Sequence, residues 1–195
     1  MKIAVFASVE GTDMQAIIDG CKKGMIDGEV CVVISNNEGA NALNRAKKEG
    51  IPNYYLSVKN FYNEEEFIAK LLEILKKYKT DIIFLAGYLK KMPDKIIDEY
   101  KDNIYNIHPA LLPKFGGKGM FGINVHKAVK EAKEKETGVT IHKVSSDYDK
   151  GEIIEQTKVP VYEDDTPGVL ARRVLEKEHE FIVEVLSKIV TEKKV

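Results

Sequence analysis

Residues 64–87 read EEEFIAKLLEILKKYKTDIIFLAG and contain both types of element from which the fold can be inferred. Over residues 64–78, apolar side chains recur at intervals that are typical of an amphipathic helix. The run at 81–86 that follows has a continuous apolar interior, and Gly87 marks its end. Such a run indicates a strand that is buried on both faces.

The same two patterns alternate on both sides of this stretch. Short apolar runs that indicate further strands lie at residues 3–7, 30–34, 54–56 and 104–107. Apolar stripes between the first three runs indicate two helices, one through Met14 and Cys21 and one through Ala42 and Ala46. The alternation predicts an α/β fold with a mostly parallel, twisted sheet and helices on both faces.

The pattern changes after this last parallel strand. Residues 109–122 are rich in Pro and Gly, which predicts a loop with unusual turns, and a helix is predicted at about 124–133. Two strand patterns, at 138–144 and 153–161, lie too close together for a crossover helix, so we expect them to pair antiparallel. Thr166 and Pro167 read as the cap and first residue of a closing helix that ends at about residue 188.

Length and composition limit the class of protein. The chain has 195 residues, 30 Lys and Arg against 31 Asp and Glu, and 44% apolar residues. This mixture predicts a single folded domain over residues 1–190 and a frayed tail at 191–195. The formal net charge of −1 gives no bulk attraction to nucleic acid or to an anionic membrane. With no signal-peptide pattern and no apolar run of about 18 residues, we expect a cytoplasmic protein that binds neither nucleic acid nor a membrane.

The cysteines and histidines do not follow metal-binding patterns. Cys21 and Cys31 are isolated and lie in no CxxC or Cys/His spacing, which predicts two reduced thiols. His126, His142 and His179 lack the HxxxH spacing of a helical zinc site. We expect His126 and His179 on helix surfaces or beside a pocket, and His142 beneath a site as a hydrogen-bonding residue.

Ligands of open α/β sheets bind outside the carboxyl ends of the strands. The first turn at this edge reads SVEGTD at residues 8–13 and leads directly into a helix. Backbone N–H groups at a helix N-terminus suit a phosphate, although the turn is neither a GxGxxG nor a P-loop sequence. A cap by Thr12 or Asp13 with no ligand is an equally good interpretation.

Asn106 and His108 are stronger candidates for chemistry. Residues two apart on a strand point to the same side, so the amide and the imidazole face one spot at the sheet edge. Such a pair can stabilise an oxyanion and handle a proton, but a structural hydrogen-bonded pair is the other interpretation. A carboxylate from the turn at 146–151, Asp147 or Asp149, is a candidate partner for the imidazole, although Asp is also common in turns without any chemistry.

Residues 106–113 read NIHPALLP, with KFGGKG at 114–119, and resemble the signature of the folate-dependent formyltransferase superfamily. The resemblance continues through GVTIH at 138–142, DYDKG at 147–151 and RVLEKEH at 173–179, and covers nearly the whole chain. The order of the motifs is most similar to the purine-pathway branch, which transfers a formyl group from 10-formyltetrahydrofolate to the amine of glycinamide ribonucleotide. The resemblance implies a Rossmann-like formyltransferase fold.

The resemblance also implies roles for individual residues. The catalytic set would be Asn106, His108 and Asp149. The Asn106 amide and a protonated His108 imidazole would stabilise the oxyanion of a tetrahedral intermediate. The Asp149 carboxylate would support the histidine charge and help to remove the amine proton. The implied folate-binding residues are Lys90, Lys91, Met92, Tyr148 and Lys150, and the implied substrate-binding residues are Gly11, Thr12, Asp13 and Glu178. No metal is implied, the partners are the two small molecules, and a homodimer is left open.

The turn at residues 8–13 departs from the superfamily pattern, which usually reads Ser-Gly-x-Gly-Ser/Thr-Asn. Val9 stands where a flexible glycine is usual, and Asp13 stands where a neutral Asn is usual. With Glu10, a phosphate would meet one or two added carboxylates, a repulsion on the order of 1 kcal/mol or more. Two alternatives therefore stay open: a folate-dependent enzyme with another acceptor, such as an amino sugar or water in formyltetrahydrofolate hydrolysis, and a folate-binding protein with impaired turnover.

Overall fold

A computed structural model describes residues 1–194 of the chain. In chain order its elements are β1 (Lys2–Phe6), α1 (Thr12–Lys22), β2 (Glu29–Ser35), α2 (Asn41–Lys48), β3 (Asn53–Tyr55), α3 (Glu64–Lys77), β4 (Ile82–Leu85), α4 (Asp94–Glu99), β5 (Ile104–His108), α5 (Ile123–Glu131), β6 (Glu136–Lys143), β7 (Ile153–Pro160) and α6 (Pro167–Glu192). A short 3-10 turn at Val58–Asn60 precedes α3.

The strands in this part of the chain form one sheet in the order β3-β2-β1-β4-β5-β6-β7. Strands β1 to β5 pair parallel, whereas β6 pairs antiparallel with both β5 and β7. The predicted α/β sheet and its antiparallel C-terminal pair are confirmed. The direction of winding reverses between β1 and β4, so the loops that follow these two strands diverge and leave a crevice at the carboxyl edge.

Each face of the sheet has its own apolar core, as alternation along the strands requires. Ile3 and Val5 of β1 pack in a core with α1, α2, α5 and α6. Ala4 and Phe6, which point the other way, pack in a second core with α3 and α4. The prediction of helices on both faces is therefore confirmed.

One helix was not predicted, and another is longer than predicted. The six-residue α4 was not predicted, because a helix this short repeats its apolar pattern too few times to stand out. Helix α6 continues to Glu192 rather than ending at about residue 188, because Ile189 and Val190 extend its buried face. Residues 191 and 192 of the predicted tail are therefore helical, and Val195 lies outside the described residues. Thr166 caps α6 as predicted, accepting a hydrogen bond from the Val169 N–H.

Helix α1 begins without a cap by Thr12 or Asp13, which was one of the two interpretations of this turn. Its N-cap is Gly11, which is left-handed with φ 69°, and no side chain within residues 1–194 caps the first turn. A Cβ at Gly11 would lie only 2.7 Å from Cβ of Ala42, so glycine is required by space as well as by conformation. The predicted cap by Thr12 or Asp13 is wrong, and both residues lie inside the first turn.

Candidate active site

Asn106 and His108 lie at the carboxyl end of β5, opposite the neighbouring strand β6. Asn106 is paired with His142 across the two strands, and His108 is paired with Thr140. The Asn106 amide Nδ2 lies 3.1 Å from Nε2 of His142. The predicted place of His142 beneath the site, as a hydrogen-bonding residue, matches this contact.

The hydrogen bonds of His142 fix both its own tautomer and the Asn106 amide. Nδ1 of His142 lies 2.7 Å from the Lys143 carbonyl oxygen, which can only accept, so Nδ1 carries the hydrogen. In the neutral ring Nε2 is then an acceptor, and the Asn106 NH₂ group donates to it. The second hydrogen of that NH₂ group points toward Oδ1 of Asp149, which lies 3.5 Å from Nδ2.

Asp149 brings the predicted catalytic residues together from the turn between β6 and β7. Its Oδ1 atom lies 3.5 Å from Asn106 Nδ2 and 3.5 Å from His142 Nε2. Its Oδ2 atom accepts a 2.8 Å hydrogen bond from the Gly117 N–H and lies 3.7 Å from Nδ1 of His108. The carboxylate therefore contacts β5, β6 and the glycine-rich loop at once. Asp147, the other predicted partner, is exposed and pairs with Lys150 instead.

In the neutral form of His108, the ring hydrogen is held on one of the two nitrogens. Nε2 lies 2.8 Å from the Phe115 carbonyl oxygen, so Nε2 is the donor in both protonation states and Nδ1 is the atom that titrates. Burial lowers the pKa of His108 below its ordinary value, although the Asp149 charge and the Phe115 carbonyl oppose part of this effect. The expected resting imidazolium is therefore replaced by a neutral ring at pH 7.

Asp149 stays ionised in spite of its burial. Its side chain is 12% exposed, and burial alone would raise its pKa. The contact with His142, the charge of His108 and the Gly117 N–H together hold the pKa of Asp149 below its usual value. A carboxylate beside a neutral imidazole is thus the resting state of the site at neutral pH.

Thr140 and Gln156 form hydrogen bonds with the backbone just after the Asn-x-His-Pro segment. The sequence analysis did not predict a role for either residue. The Thr140 hydroxyl donates to the Ala110 carbonyl at 2.6 Å and accepts from the Leu112 N–H at 3.1 Å. Gln156 Nε2 donates to the Leu112 carbonyl at 2.9 Å and to the Thr140 hydroxyl at 2.8 Å. The alternation of Thr140 with His142 along β6 was the available signal.

Two adjoining cavities open beside the predicted catalytic residues. The larger, about 390 Å³, is lined by Asn106, His108 and Asp149 together with Tyr88, Lys90, Tyr148 and the glycine-rich loop. The smaller, about 70 Å³, lies between Lys91, Met92 and Asp149. Four predicted folate-binding residues, Lys90, Lys91, Met92 and Tyr148, therefore line one cavity or both. Lys150 lines neither of these two cavities and contacts Asp147 at 3.3 Å.

The turn after β1 is joined to the loop that lines the larger cavity. The Ser8 N–H donates to the Gly87 carbonyl at 3.0 Å, and the Ser8 hydroxyl accepts from the Leu89 N–H at 2.8 Å. Gly11, Thr12 and Asp13 do not themselves line either of these two cavities. Thr12 borders a separate groove of about 500 Å³ between α1 and α6.

Asp13 and Glu178, two of the predicted substrate-binding residues, are buried between α1 and α6. Glu178 is 7% exposed, and the Asp13 side chain is 13% exposed. Burial raises the pKa of Asp13 to about 7. Burial, together with the Asp13 charge, also raises the pKa of Glu178 well above its usual value.

The two remaining histidines lie in different surroundings. His126 of α5 is buried, so the helix-surface interpretation is wrong for it, and burial together with the charge of nearby His108 lowers its pKa to about 4. His179 of α6 is half-buried, with Nε2 facing Asp13.

Residues 1–194 contain neither a cluster of metal ligands nor a helix that could span a membrane. No group of three or more His, Cys, Asp or Glu side chains is arranged there to hold a metal ion. No helix in the same range is both long enough and apolar enough to cross a membrane. Both cysteines are free thiols.

Comparison with known proteins gives consistent matches along the chain. A family model described as "Formyl transferase" matches residues 1–186. The chain is 41% identical over 193 residues to the chloroplastic phosphoribosylglycinamide formyltransferase of Arabidopsis thaliana, covering 98% of this chain and 66% of that protein. It is 38% identical over 179 residues to the phosphoribosylglycinamide formyltransferase of Haemophilus influenzae, covering 92% of this chain and 82% of that one.

The fold matches solved structures equally well. The crystal structure of phosphoribosylglycinamide formyltransferase from Bacillus halodurans superposes with a TM-score of 0.91 at 33% sequence identity, covering 99% of this chain and 97% of that one. The chain spans slightly less than two thirds of the length of the Arabidopsis protein.

Proposed function

Because the chain belongs to the formyl transferase family, we propose that it transfers a formyl group from 10-formyltetrahydrofolate to the amine of glycinamide ribonucleotide, in purine biosynthesis. The observation that carries the proposal is the convergence of Asn106, His108 and Asp149 beside a cavity of about 390 Å³. The names of the relatives at 38% and 41% identity support the choice of substrate.

The reaction forms a C–N bond to the formyl carbon and breaks the bond from that carbon to N10 of the folate. The amine attacks the formyl carbon, and negative charge develops on the formyl oxygen. Asn106 Nδ2 is held by His142 at 3.1 Å and makes only a long contact of 3.5 Å with Asp149, so its second hydrogen can shift from Asp149 and donate to that oxyanion. The amine nitrogen then loses one proton and N10 gains one, so the reaction is balanced without an added acid or base.

Asp149 and His108 would manage this proton. Asp149 is an ionised carboxylate at neutral pH and accepts the proton from the attacking nitrogen. Nδ1 of His108, 3.7 Å from Oδ2 of Asp149, is unprotonated in the resting site and can receive this same proton before it passes to N10. An imidazolium made at that moment would stabilise the oxyanion, which modifies the mechanism expected from a permanently charged histidine.

The two ligands would occupy different parts of the carboxyl edge. We place the folate against Lys90, Lys91, Met92 and Tyr148, because these residues line the two cavities beside Asp149. We place the phosphate of the substrate at the first turn of α1, at Gly11, Thr12 and Asp13, where backbone N–H groups at a helix N-terminus favour an anion. Glu178 would face the rest of that substrate, and Lys150 is left with a supporting role at the turn.

Steady-state kinetics on purified protein tests the proposal. Formyl transfer to glycinamide ribonucleotide should greatly exceed the release of tetrahydrofolate in buffer alone. A rate that does not depend on the ribonucleotide would favour formyltetrahydrofolate hydrolysis, and transfer to an amino sugar alone would favour another acceptor. Folate binding without any transfer would favour the folate-binding protein and overturn the proposal.

Several expectations from the sequence accompany this proposal. We propose a cytoplasmic protein whose partners are the two small molecules, with one domain over residues 1–190. Cell fractionation and limited proteolysis test the location and the domain boundary, and light scattering decides between monomer and homodimer.

A further inference from the structure

Asp13, Glu178 and His179 form a cluster between α1 and α6, which we call the α1–α6 carboxyl cluster. Oδ1 of Asp13 and Nε2 of His179 face each other at 3.6 Å. Both atoms are buried, and neither has a hydrogen-bond partner among residues 1–194. Two buried polar atoms that face each other unpaired cost free energy unless a proton lies between them or a bound molecule contacts them.

Few charges near the cluster can offset a second negative charge. From α2, Arg45 faces His179, but its Nε atom already donates to the Glu10 carbonyl at 2.9 Å. From α6, Glu176 adds another carboxylate near His179. Because Asp13 and Glu178 are both buried and repel each other, ionising both is unfavourable.

We propose that Asp13 is a positioning residue that holds one proton within the α1–α6 carboxyl cluster, and that this proton must be present when a phosphate occupies the first turn of α1. This inference rests on the proposed function, because the phosphate is that of the proposed substrate. Asp13 acts through Glu178 and His179, by setting their charge and hydrogen bonding, and contributes to the phosphate site only through its backbone.

The proposal has a direct consequence for ligand binding. A bound phosphate makes a carboxylate charge at Asp13 still less favourable, so the protein takes up a proton on binding wherever Asp13 has begun to ionise. Affinity for the ribonucleotide therefore falls as the pH rises above the titration of the cluster. The limiting slope corresponds to about a tenfold rise in Kd for each pH unit.

The first test uses the ligand-free protein and does not depend on its activity. The pKa of Asp13 is raised in the folded protein from 3.8 to about 7, so the folded state binds the proton more tightly and stability declines as the pH rises across that window. Denaturant unfolding from pH 4 to pH 8 should show a shallower decline in Asp13→Asn than in the wild type. Asp19→Asn, the same change on the same helix, is the matched control and should keep the wild-type slope.

The second test measures the linkage to the ligand. Titration calorimetry with glycinamide ribonucleotide at pH 8, in two buffers of different ionisation enthalpy, counts the protons taken up on binding. We expect the wild type and Asp19→Asn each to take up close to one proton more on binding than Asp13→Asn does. The phosphate of the ligand titrates equally in all three proteins, so its contribution cancels in the comparison. Between pH 7 and pH 8.5, Kd should rise several-fold more in the wild type than in Asp13→Asn.

The outcomes separate this inference from the proposed function. Equal stability slopes in the wild type and Asp13→Asn overturn the inference even if formyl transfer is normal. Equal proton uptake in the two proteins also overturns it, since Asp13 then has no effect on the charge that the phosphate meets. If the ribonucleotide does not bind at all, the proposed function fails, whereas a shallower slope in Asp13→Asn still supports the shared proton.

Discussion

Nδ1 of His108 lies 3.7 Å from Oδ2 of Asp149, although the two residues come from different parts of the chain. His108 ends the last parallel strand, and Asp149 lies in the turn of the antiparallel hairpin. The distance is too long for a direct hydrogen bond and short enough for one atom of a ligand to contact both. The proposed chemistry depends on this gap.

Replacing Asp149 with Asn should remove the proton acceptor while keeping the shape of the turn. Asn tolerates the left-handed φ of 55° at this position, so the fold should survive. We expect kcat for formyl transfer to fall roughly 10²–10⁴-fold. Asp102→Asn is the matched control, because Asp102 is also a left-handed aspartate, with φ 62°, but lies outside the site. Equal loss in both variants would argue for a structural effect.

The charge of Asp149 should be detectable in the titration of His108. That charge raises the pKa of His108, while burial lowers it to a value below 6.5. Removal of the charge in Asp149→Asn should therefore lower the pKa of His108 further. Titration of the imidazole Cε1–H resonance by NMR measures both values without any substrate. An unchanged or higher value in the variant would contradict the electrostatic contact.

Thr140 and Thr137 provide a matched pair of buried threonines on one strand. The Thr140 hydroxyl makes three hydrogen bonds, whereas the Thr137 hydroxyl has no partner in the described part of the chain. Thr140→Val should lower the free energy of unfolding by about 1–3 kcal/mol and reduce kcat, because Ala110 and Leu112 lose their support. Thr137→Val should be neutral or slightly stabilising. Chemical denaturation measures both, and equal effects would refute the assignment.

Alanine substitutions at Gly11 and Gly24 distinguish the effect of backbone strain from the effect of lack of space. Both are left-handed, with φ of 69° and 70°, but a Cβ at Gly24 would meet no atom within 4 Å. Gly24→Ala should therefore cost only the conformational term of about 1–2 kcal/mol. Gly11→Ala should cost about 1–3 kcal/mol more, because the new methyl overlaps Ala42. Thermal unfolding measures the loss of stability in each variant. A similar loss in both would mean that Ala42 moves aside for the new methyl group.

The pattern of apolar runs was enough to predict the sheet, because β1, β2, β4 and β5 are largely buried on both faces and each carries its own signal. The convergence of Asn106, His108 and Asp149 was expected from alternation on β5, from the hairpin turn and from the resemblance. Alternation along the strand could not predict which atoms of these side chains contact each other. The tautomers of His142 and His108 depend on the carbonyls of Lys143 and Phe115, which only the folded chain brings into place.

The first turn shows the opposite case, in which local sequence was misleading. Thr12 and Asp13 are good capping residues by type, but the left-handed Gly11 begins the helix one position earlier. Asp13 then turns toward Glu178, which is distant in the sequence. Burial of a carboxyl against another carboxyl is a long-range property that no local pattern reports.

The antiparallel hairpin also sets the order in which the site can be made during synthesis. The five parallel strands are complete once residue 108 has left the ribosome, and Asn106 and His108 are then already in the chain. Asp149 comes later, and β6 gains its second neighbour only when β7 has emerged. A nascent chain thus has most of its sheet well before it has the Asp149 carboxylate, and Glu178 of α6 emerges later still, so the proposed site is completed only late in translation.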